Sequence, residues 1–435
     1  WGNDNPFRFN WSSPIVTSVH RPGVVYFGGN FLFKTTDRGD SWTIISPDLS
    51  TNDPVKIDRK TGGLTPDVTG AENHCTIVTI SESPLNPSLL WAGTDDGNIQ
   101  VTRDGGKTWA NVRPNLKGVP EGLWISRVEA SRFAAGVCYV TLDGHRSDNF
   151  APWVFKTADF GKTWANIGKG LPDGQVAYVI REDPVNPGLL FLGTEFGIFV
   201  STDGGKAWAR FMNNLPTVAV HDILIHPVQK DLIIGTHGRG IWICDDITAL
   251  EQMDPAAAAA PAHLFDQRAA TQWIEIGRGG SRGQFLFQGE NPPRGALIRY
   301  LLGPDVKEAT LEISDLEGKA AFKADLKGRP GLDRFVWEFK FGPPELTAEE
   351  QGLLDKFNKE PEWEERVRLN QELEKSLTAR GRKYAGVNTR TGKLNDIPAE
   401  PGAYKVTLKA GGLTLVKPLT VRQDPILRDR TTTSY

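Results

Sequence analysis

One eight-residue phrase is written four times in this chain: TTDRGDSW, TRDGGKTW, TADFGKTW and STDGGKAW, closing at Trp42, Trp109, Trp164 and Trp208. A phrase that returns every few dozen residues marks stacked units, each too small to bury a core alone. The text around it is also repeated. An alternating apolar run such as TIVTI at 76–80 leads to an Asn-Pro turn, Asn86-Pro87 or Asn186-Pro187. A short hydrophobic strand ending in Gly-Thr follows, then a tight Gly turn, a third strand, the phrase, and a fourth strand from the tryptophan. Four short strands per unit, punctuated by Gly, Pro and Asn, are the written form of a propeller blade.

The expected fold is therefore all-β, with about five blades at 11–46, 74–113, 124–168, 176–212 and 219–250. The fifth keeps the Gly-Thr turn (Gly235-Thr236) but ends in Ile243-Cys244-Asp245-Asp246 without the phrase. Two long connections, 47–73 and 114–122, interrupt the register. The phrase itself reads as a reinforced hairpin. Its Asp accepts backbone N–H groups of the turn, Gly takes the positive φ, and the Ser/Thr hydroxyl bridges back to the Asp. Trp fills the space beside the next sheet while keeping an N–H for a partner. All these roles are mechanical, so Asp37, Asp104, Asp159 and Asp203 are assigned with their tryptophans to architecture, not catalysis.

The bulk numbers exclude more than they assign. A net charge of −3 over 435 residues gives no footing for nucleic acid or an anionic membrane. No run approaches the roughly 20 apolar residues that cross a bilayer. Three well-spaced cysteines, Cys75, Cys138 and Cys244, make no disulfide framework or metal pattern and read as buried thiols. The start at Trp1 and the two methionines are read as marks of a piece of a longer polypeptide, with further blades or a partner chain expected alongside.

From about 263 the grammar changes. Strands are expected at 297–302, 309–314, 320–326, 332–339, 403–409 and 413–421, a spacing that suits an antiparallel immunoglobulin-like sandwich. A charged helical insertion at about 345–382 interrupts it. Thr347 with Glu350 makes a capping box, and Pro361 falls in the expected first turn of a second helix. Trp363, Val367, Leu369, Leu373 and Leu377 are expected to seat that helix. The domain reading is 1–250 propeller, 251–262 linker, 263–425 sandwich and 426–435 tail.

The repeated phrase resembles the Asp box of bacterial-neuraminidase-type repeats. The wider text, with VVYFGGN, LLWAGTDDGNIQVTRDGGKTW, LLFLGTEFGIFVSTDGGKAW and IIGTHGRGIWICDD, is similar to bacterial sortilin-like propeller proteins often labelled glycosyl hydrolases. That resemblance covers residues 1 to about 250. It implies a secreted, periplasmic or surface location and a fold shared by sialidases, xyloglucan-cleaving enzymes, sorting receptors and non-catalytic scaffolds. No position matches a sialidase arginine triad or either xyloglucanase carboxylate. PGAYKVTL at 401–408 is similar to bacterial immunoglobulin-like modules.

Blade geometry converts the text into a candidate site. Strands alternate in direction, so the Asp boxes in three–four turns lie on one face. The two–three turns and the starts of innermost strands lie on the other. That second face collects Asp95, Asp96, His145, Arg146, Glu195, His237 and Arg239 from turns, and His74, Arg127, Tyr178, His221 and Asp222 from first strands. It holds four of the seven histidines.

Read as function, this face is a mouth for a polar protein or glycan ligand. Asp95, Asp96 and Glu195 are the candidate acid and base if the chain cleaves a glycosidic bond. No cofactor or metal is expected, although His145, His221, Asp222 and His237 include ordinary divalent-metal ligands. The plain alternative is a solvated, mutually salt-bridged rim. The leading expectation is an extracytoplasmic binding or scaffold module. A glycoside hydrolase and a structural subunit of a larger assembly are the alternatives.

Overall fold

A computed structural model describes residues 6–58, 73–274, 290–318 and 321–427. Trp1, Ala320, the tail past 427 and the greater part of the 47–73 connection lie outside these residues. The chain divides into two compact units, Trp1–Glu251 and Gln252–Tyr435.

The first unit is a β-propeller built from successive small antiparallel sheets. Blade two is typical: Ile77–Glu82, Leu90–Thr94, Ile99–Thr102 and Ala110–Asn111 are hydrogen-bonded in sequence order. Blades one, three and four repeat this four-stranded order, starting at Ile15–Thr17, Trp124–Ala130 and Ala177–Glu182. Blade five has three strands, Val220–Ile225, Leu232–Thr236 and Ile241–Cys244. The missing fourth strand is the one that the absent phrase would have introduced.

Runs such as LLWAG and LLFLG lack alternation because blades two and four are covered on both faces, leaving their second and third strands buried throughout. Each first strand packs on the preceding blade: that of blade three on the first two strands of blade two, that of blade five on those of blade four. Glycine in the Gly-Thr turn permits this approach. A Cβ on Gly93 would stand 2.4 Å from Ile125 Cγ2, and one on Gly193 would stand 2.6 Å from the Val220 carbonyl oxygen.

Two buried carboxylates join blades in pairs. Glu82 of blade two accepts hydrogen bonds from Ser18 Oγ (3.0 Å), Val19 N (2.9 Å) and Tyr26 OH (2.9 Å) of blade one. Glu182 of blade four repeats the arrangement with Ser131 Oγ, Arg132 N and Tyr139 OH of blade three at 2.9, 2.8 and 3.0 Å. Burial raises the Glu182 pKa, so these three donors are what keep a carboxylate acceptable there.

The eight-residue phrases form the expected turns. In the second, Thr102 and Thr108 hydroxyls donate to the two Asp104 oxygens at 2.8 and 2.6 Å. Gly106 sits at φ 97°, where a Cβ would meet the Ile45 carbonyl at 2.4 Å. The tryptophans correct the expectation, because they lean on the preceding sheet and not the next. Trp109 Nε1 donates to Ile45 O (3.0 Å) and Trp208 Nε1 to Ile167 O (2.6 Å), each on the blade before. Trp164 meets Trp91 of blade two edge-on, with ring centroids 6.4 Å apart. The cause is strand order: the phrase opens the outermost strand, where the previous blade's outer edge lies alongside.

The second unit has two sheets sharing one core. Ala262–Leu264, Ala296–Leu302 and Gly331–Trp337 form the smaller. Ala270–Gln272, Leu413–Gln423, Gly402–Ala410, Glu308–Asp315 and Ala321–Lys327 form the larger. Ile298, Trp337, Leu311, Val406 and Leu419 meet between them.

The insertion is a helix pair, Ala348–Lys359 and Trp363–Ala379, with the Thr347–Glu350 capping box in place. Three details differ from expectation. Pro361 precedes the N-cap Glu362 instead of entering the second helix, and by holding Glu360 extended it ends the first. Leu369, Leu373 and Leu377 are buried, but Trp363 and Val367 are exposed, being two residues (about 200° of rotation) off that stripe. Within the expected linker, Asp254 caps a short helix, Pro255–Ala259. Cys75 and Cys138 are buried free thiols; Cys244, on the half-covered last blade, is only partly buried.

Glu182→Ala leaves three buried donors without an acceptor and is expected to cost about 3 kcal/mol. Calorimetry should show the propeller transition lowered and the sandwich transition unmoved; an unmoved propeller transition would refute the clamp. The phrase carboxylates set an acid limit. Hydrogen bonds from Thr108, and from the Thr163 amide and hydroxyl, hold Asp104 and Asp159 down to about 2. Because the folded value is the lower one, their stabilisation is present above about pH 4 and is lost as pH falls towards 2. Substituting both by asparagine should flatten the propeller's melting temperature over that window.

Candidate functional site

Strand register places the two kinds of turn at opposite ends of each sheet. In blade two, Ile77 faces Thr94 and Gly93 faces Ile99, whereas Leu90 faces Thr102. Blade four repeats this with Ala177 against Thr194 and Leu190 against Ser201. Asp95, Glu195 and His237 therefore sit at the end away from Trp109 and Trp208.

These side chains come from one structural position. The amide following the second strand donates to the residue before the first strand: Asp95 N to Thr76 O, Glu195 N to Val176 O, and His237 N to Ala219 O. Asn30 fills the position in blade one, donating to Arg8 O. Asp143 ends the second strand of blade three, opposite Trp124.

Tyr178 is the centre of the largest group. Its ring lies 4.2 Å from that of His221, and His221 lies 4.9 Å from His237. Its hydroxyl donates to Glu195 Oε2 at 2.5 Å. His145 stands edge-on to it at 6.4 Å. Behind His145, Asp143 receives both the His145 ring nitrogen (2.6 Å) and the Arg146 guanidinium (2.9 Å). Arg146 lies 3.9 Å over the Trp124 ring, and His74 meets that indole edge-on at 6.2 Å. One unbroken run of rings and charges thus crosses blades two to five.

The electrostatics favour neutral donors and acceptors. Burial, then the neighbouring His237, lowers the His221 pKa. Burial, then the Lys56 charge, does the same for His74. Burial and the Glu195 hydrogen bond raise that of Tyr178. At neutral pH Tyr178 is a phenol, while His221 and His74 are neutral imidazoles.

Other expected members are placed differently. Asp95 is fully buried, accepting Thr76 N (2.8 Å), Thr76 Oγ1 (2.9 Å) and Asn10 Nδ2 (3.3 Å). Asp96 accepts Thr51 N and Oγ1, both at 2.7 Å, and Thr94 Oγ1 at 2.5 Å. Both carboxylates of blade two are committed to hydrogen bonds with Thr76 and Thr51, and Asp95 Oδ1 also lies 3.9 Å from His74 Nδ1. Asp222 faces Arg127 (2.9 Å) and Arg181 (3.1 Å), and Arg181 also binds Glu129 (2.5 Å). This is a second cluster, on the first strands of blades three to five. Arg239 is exposed and joins neither cluster.

Among the described residues no group of three or more His, Cys, Asp or Glu is placed to hold a metal. The reading of His145, His221, His237 and Asp222 as ligands fails because Asp222 is turned towards two arginines. Four members were not foreseen: Trp124, Asp143, Glu129 and Arg181. Asp143 carried a readable signal, since it stands five residues after the start of the second strand, as Asp95 and Glu195 do.

No family model matches the chain. An oligoxyloglucan-reducing-end-specific xyloglucanase of Emericella nidulans is 22% identical over 247 residues, 54% of this chain and 23% of its own length. The chain thus spans about a quarter of that relative. Among solved structures, a GH74 xyloglucanase from Xanthomonas campestris matches 54% of this chain and 36% of its own at 19% identity and a TM-score of 0.40. The GH74 enzyme of Niastella koreensis matches 92% and 56% at 12% identity and 0.39. The extracellular domain of a hybrid two-component system from B. thetaiotaomicron matches 96% and 44% at 10% identity and 0.37. The chemistry in those names belongs to those proteins.

Burial pushes Asp95 up to about 7, against its Thr76 hydrogen bonds and with the Asp96 charge adding to the rise. A raised folded value means its stabilisation is full below about pH 4 and is lost as pH climbs through 7. Denaturation midpoints of the propeller should therefore fall from about pH 5 to about pH 8, and Asp95→Asn should flatten that slope. An unchanged slope in the variant would show that Asp95 is ionised throughout.

Proposed function

We propose that the propeller is an extracytoplasmic binding module that takes a hydroxyl-rich ligand, a glycan, on the face centred on Tyr178. The observation that carries this is the stacking of Tyr178 on His221 and of His221 on His237, with the Tyr178 hydroxyl on Glu195, contributed by two blades. A neutral His221 imidazole and a Tyr178 phenol offer both donors and acceptors, which suits sugar hydroxyls better than a charged group. Trp124 under Arg146 and the His221 ring add flat surfaces of the sort that apolar sugar faces cover. The extracytoplasmic location rests on the sequence resemblance. The C-terminal sandwich is read as an immunoglobulin-like companion module, without a role in the face.

A glycan array probed with the whole chain tests the reading. His221→Ala with His237→Ala should abolish the signal by at least tenfold while near-ultraviolet circular dichroism stays unchanged. Equal binding by wild type and the folded double variant would overturn it.

The likeness to a xyloglucanase over 247 residues favours hydrolysis as a second reading. It requires two carboxylates roughly 5–10 Å apart across an open cleft. With Asp95 and Asp96 buried and hydrogen-bonded to Thr76 and Thr51, Glu195 is the remaining candidate of the three. Release of reducing sugar from xyloglucan oligosaccharides that Glu195→Gln eliminates would support it; activity unaffected by that change would exclude Glu195.

A further inference from the structure

We infer that the glycan taken on this face is acidic, a uronic-acid oligosaccharide whose carboxylate is received by Arg146. The inference rests on the reading of the Tyr178 face as a glycan site and adds the class of glycan.

Arg146 is pinned on one edge and open on the other. Its guanidinium lies 3.9 Å over the Trp124 ring, which sets its plane. Nη1 donates to Asp143 Oδ2 at 2.9 Å, which sets its rotation within that plane. Asp143 is itself held. It is 5% exposed, and Oδ1 meets the His145 ring nitrogen at 2.6 Å and accepts the His145 amide at 3.0 Å. Nε and Nη2 of Arg146 meet no acceptor among the described residues, and the side chain is 41% exposed. Asp148, exposed two residues further on, makes no ion pair with it. Fixing an arginine costs rotamer freedom, and a half-exposed ion pair returns little of it. This guanidinium is held for its unused edge.

That edge selects a carboxylate. Nε–H and Nη2–H lie side by side and point the same way, at the spacing of two carboxylate oxygens. A sugar hydroxyl would use one of the two donors; a carboxylate uses both. The nearby acids do not compete for it, because Asp96 is taken by Thr51 and Glu195 by Tyr178. A second cation stands at the same end: after burial, the Lys56 charge is what most lowers the His74 pKa, with Arg146 adding to it against Asp96. The two ends of the site are joined through Asp143. His145, held by that carboxylate, is edge-on to Tyr178 at 6.4 Å. Sugars crossing from Tyr178 to Trp124 would find hydroxyl partners at one end and a carboxylate receptor at the other.

Binding of the whole chain to matched pairs of oligosaccharides tests the inference. Each pair is a uronic-acid oligomer and the same oligomer with its carboxyl groups reduced to alcohols, printed beside sulfated neutral oligomers. At least one acidic oligomer is expected to bind about tenfold more tightly than its reduced partner. Arg146→Gln should erase that difference, with binding of the reduced partner and the near-ultraviolet circular dichroism unchanged. Reduced partners bound as tightly as the acids, or a preference for the sulfated neutral oligomers, would overturn the inference and leave the glycan face standing. So would an Arg146→Gln variant that keeps the preference or weakens both members of a pair equally. Binding of no oligomer at all would overturn the glycan reading itself, and this inference with it.

Discussion

A carboxylate closed between two sheets governs how this propeller is joined. Glu182 meets a serine hydroxyl, an amide and a tyrosine hydroxyl of the blade before it, and Glu82 does the same one pair earlier. Hydrophobic contact between blades is non-directional and would tolerate sliding. Three donors converging on one carboxylate would not. They fix the height and rotation of one sheet against the next, and the residues on the face inherit that registration. Trp91 and Phe191 stand where blades one and three have Tyr26 and Tyr139, so the joint between blades two and three relies on packing and on Thr79 and Ser81 hydroxyls. The repeat is therefore two blades long in its polar chemistry, although one blade long in its backbone.

Backbone architecture was legible in the sequence because it is written in local signals. Turn residues and strand lengths located every blade, and the capping box located the first helix. What was not legible depends on neighbours far away in the chain. Trp109 was expected beside the following sheet, yet its indole reaches Ile45, 64 residues earlier. Asp95 and Asp96 looked like free turn carboxylates because nothing local shows that Thr76, Asn10 and Thr51 close on them. Trp363 and Val367 shared helical spacing with each other but not the rotation of the buried stripe.

The candidate face shows the same division. Strand alternation alone put Glu195, His237, Tyr178 and His221 at one end of the wheel. Their mutual distances came from blade packing, which no spacing in the text encodes. Asp143 shows what was recoverable, because aligning the fifth residue past the start of each second strand singles it out before any coordinates are known. Arg181 and Glu129 were hidden inside alternating strand text, where a charge at a nominally covered position looks like noise. They are instead halves of an ion pair that a single sheet cannot satisfy.

That ion-pair cluster has a geometric consequence. Arg127 of blade three reaches Asp222 of blade five, passing over the blade between them, where Arg181 joins the same carboxylate. A link between alternate blades is a chord, and the length of a chord sets the radius of the circle it subtends. The curvature of this wheel, and hence the number of sheets that would complete one turn, is tied to the reach of a guanidinium. A lysine in its place would substitute a single flexible point of attachment for a rigid fork, and the circumference would become less sharply defined.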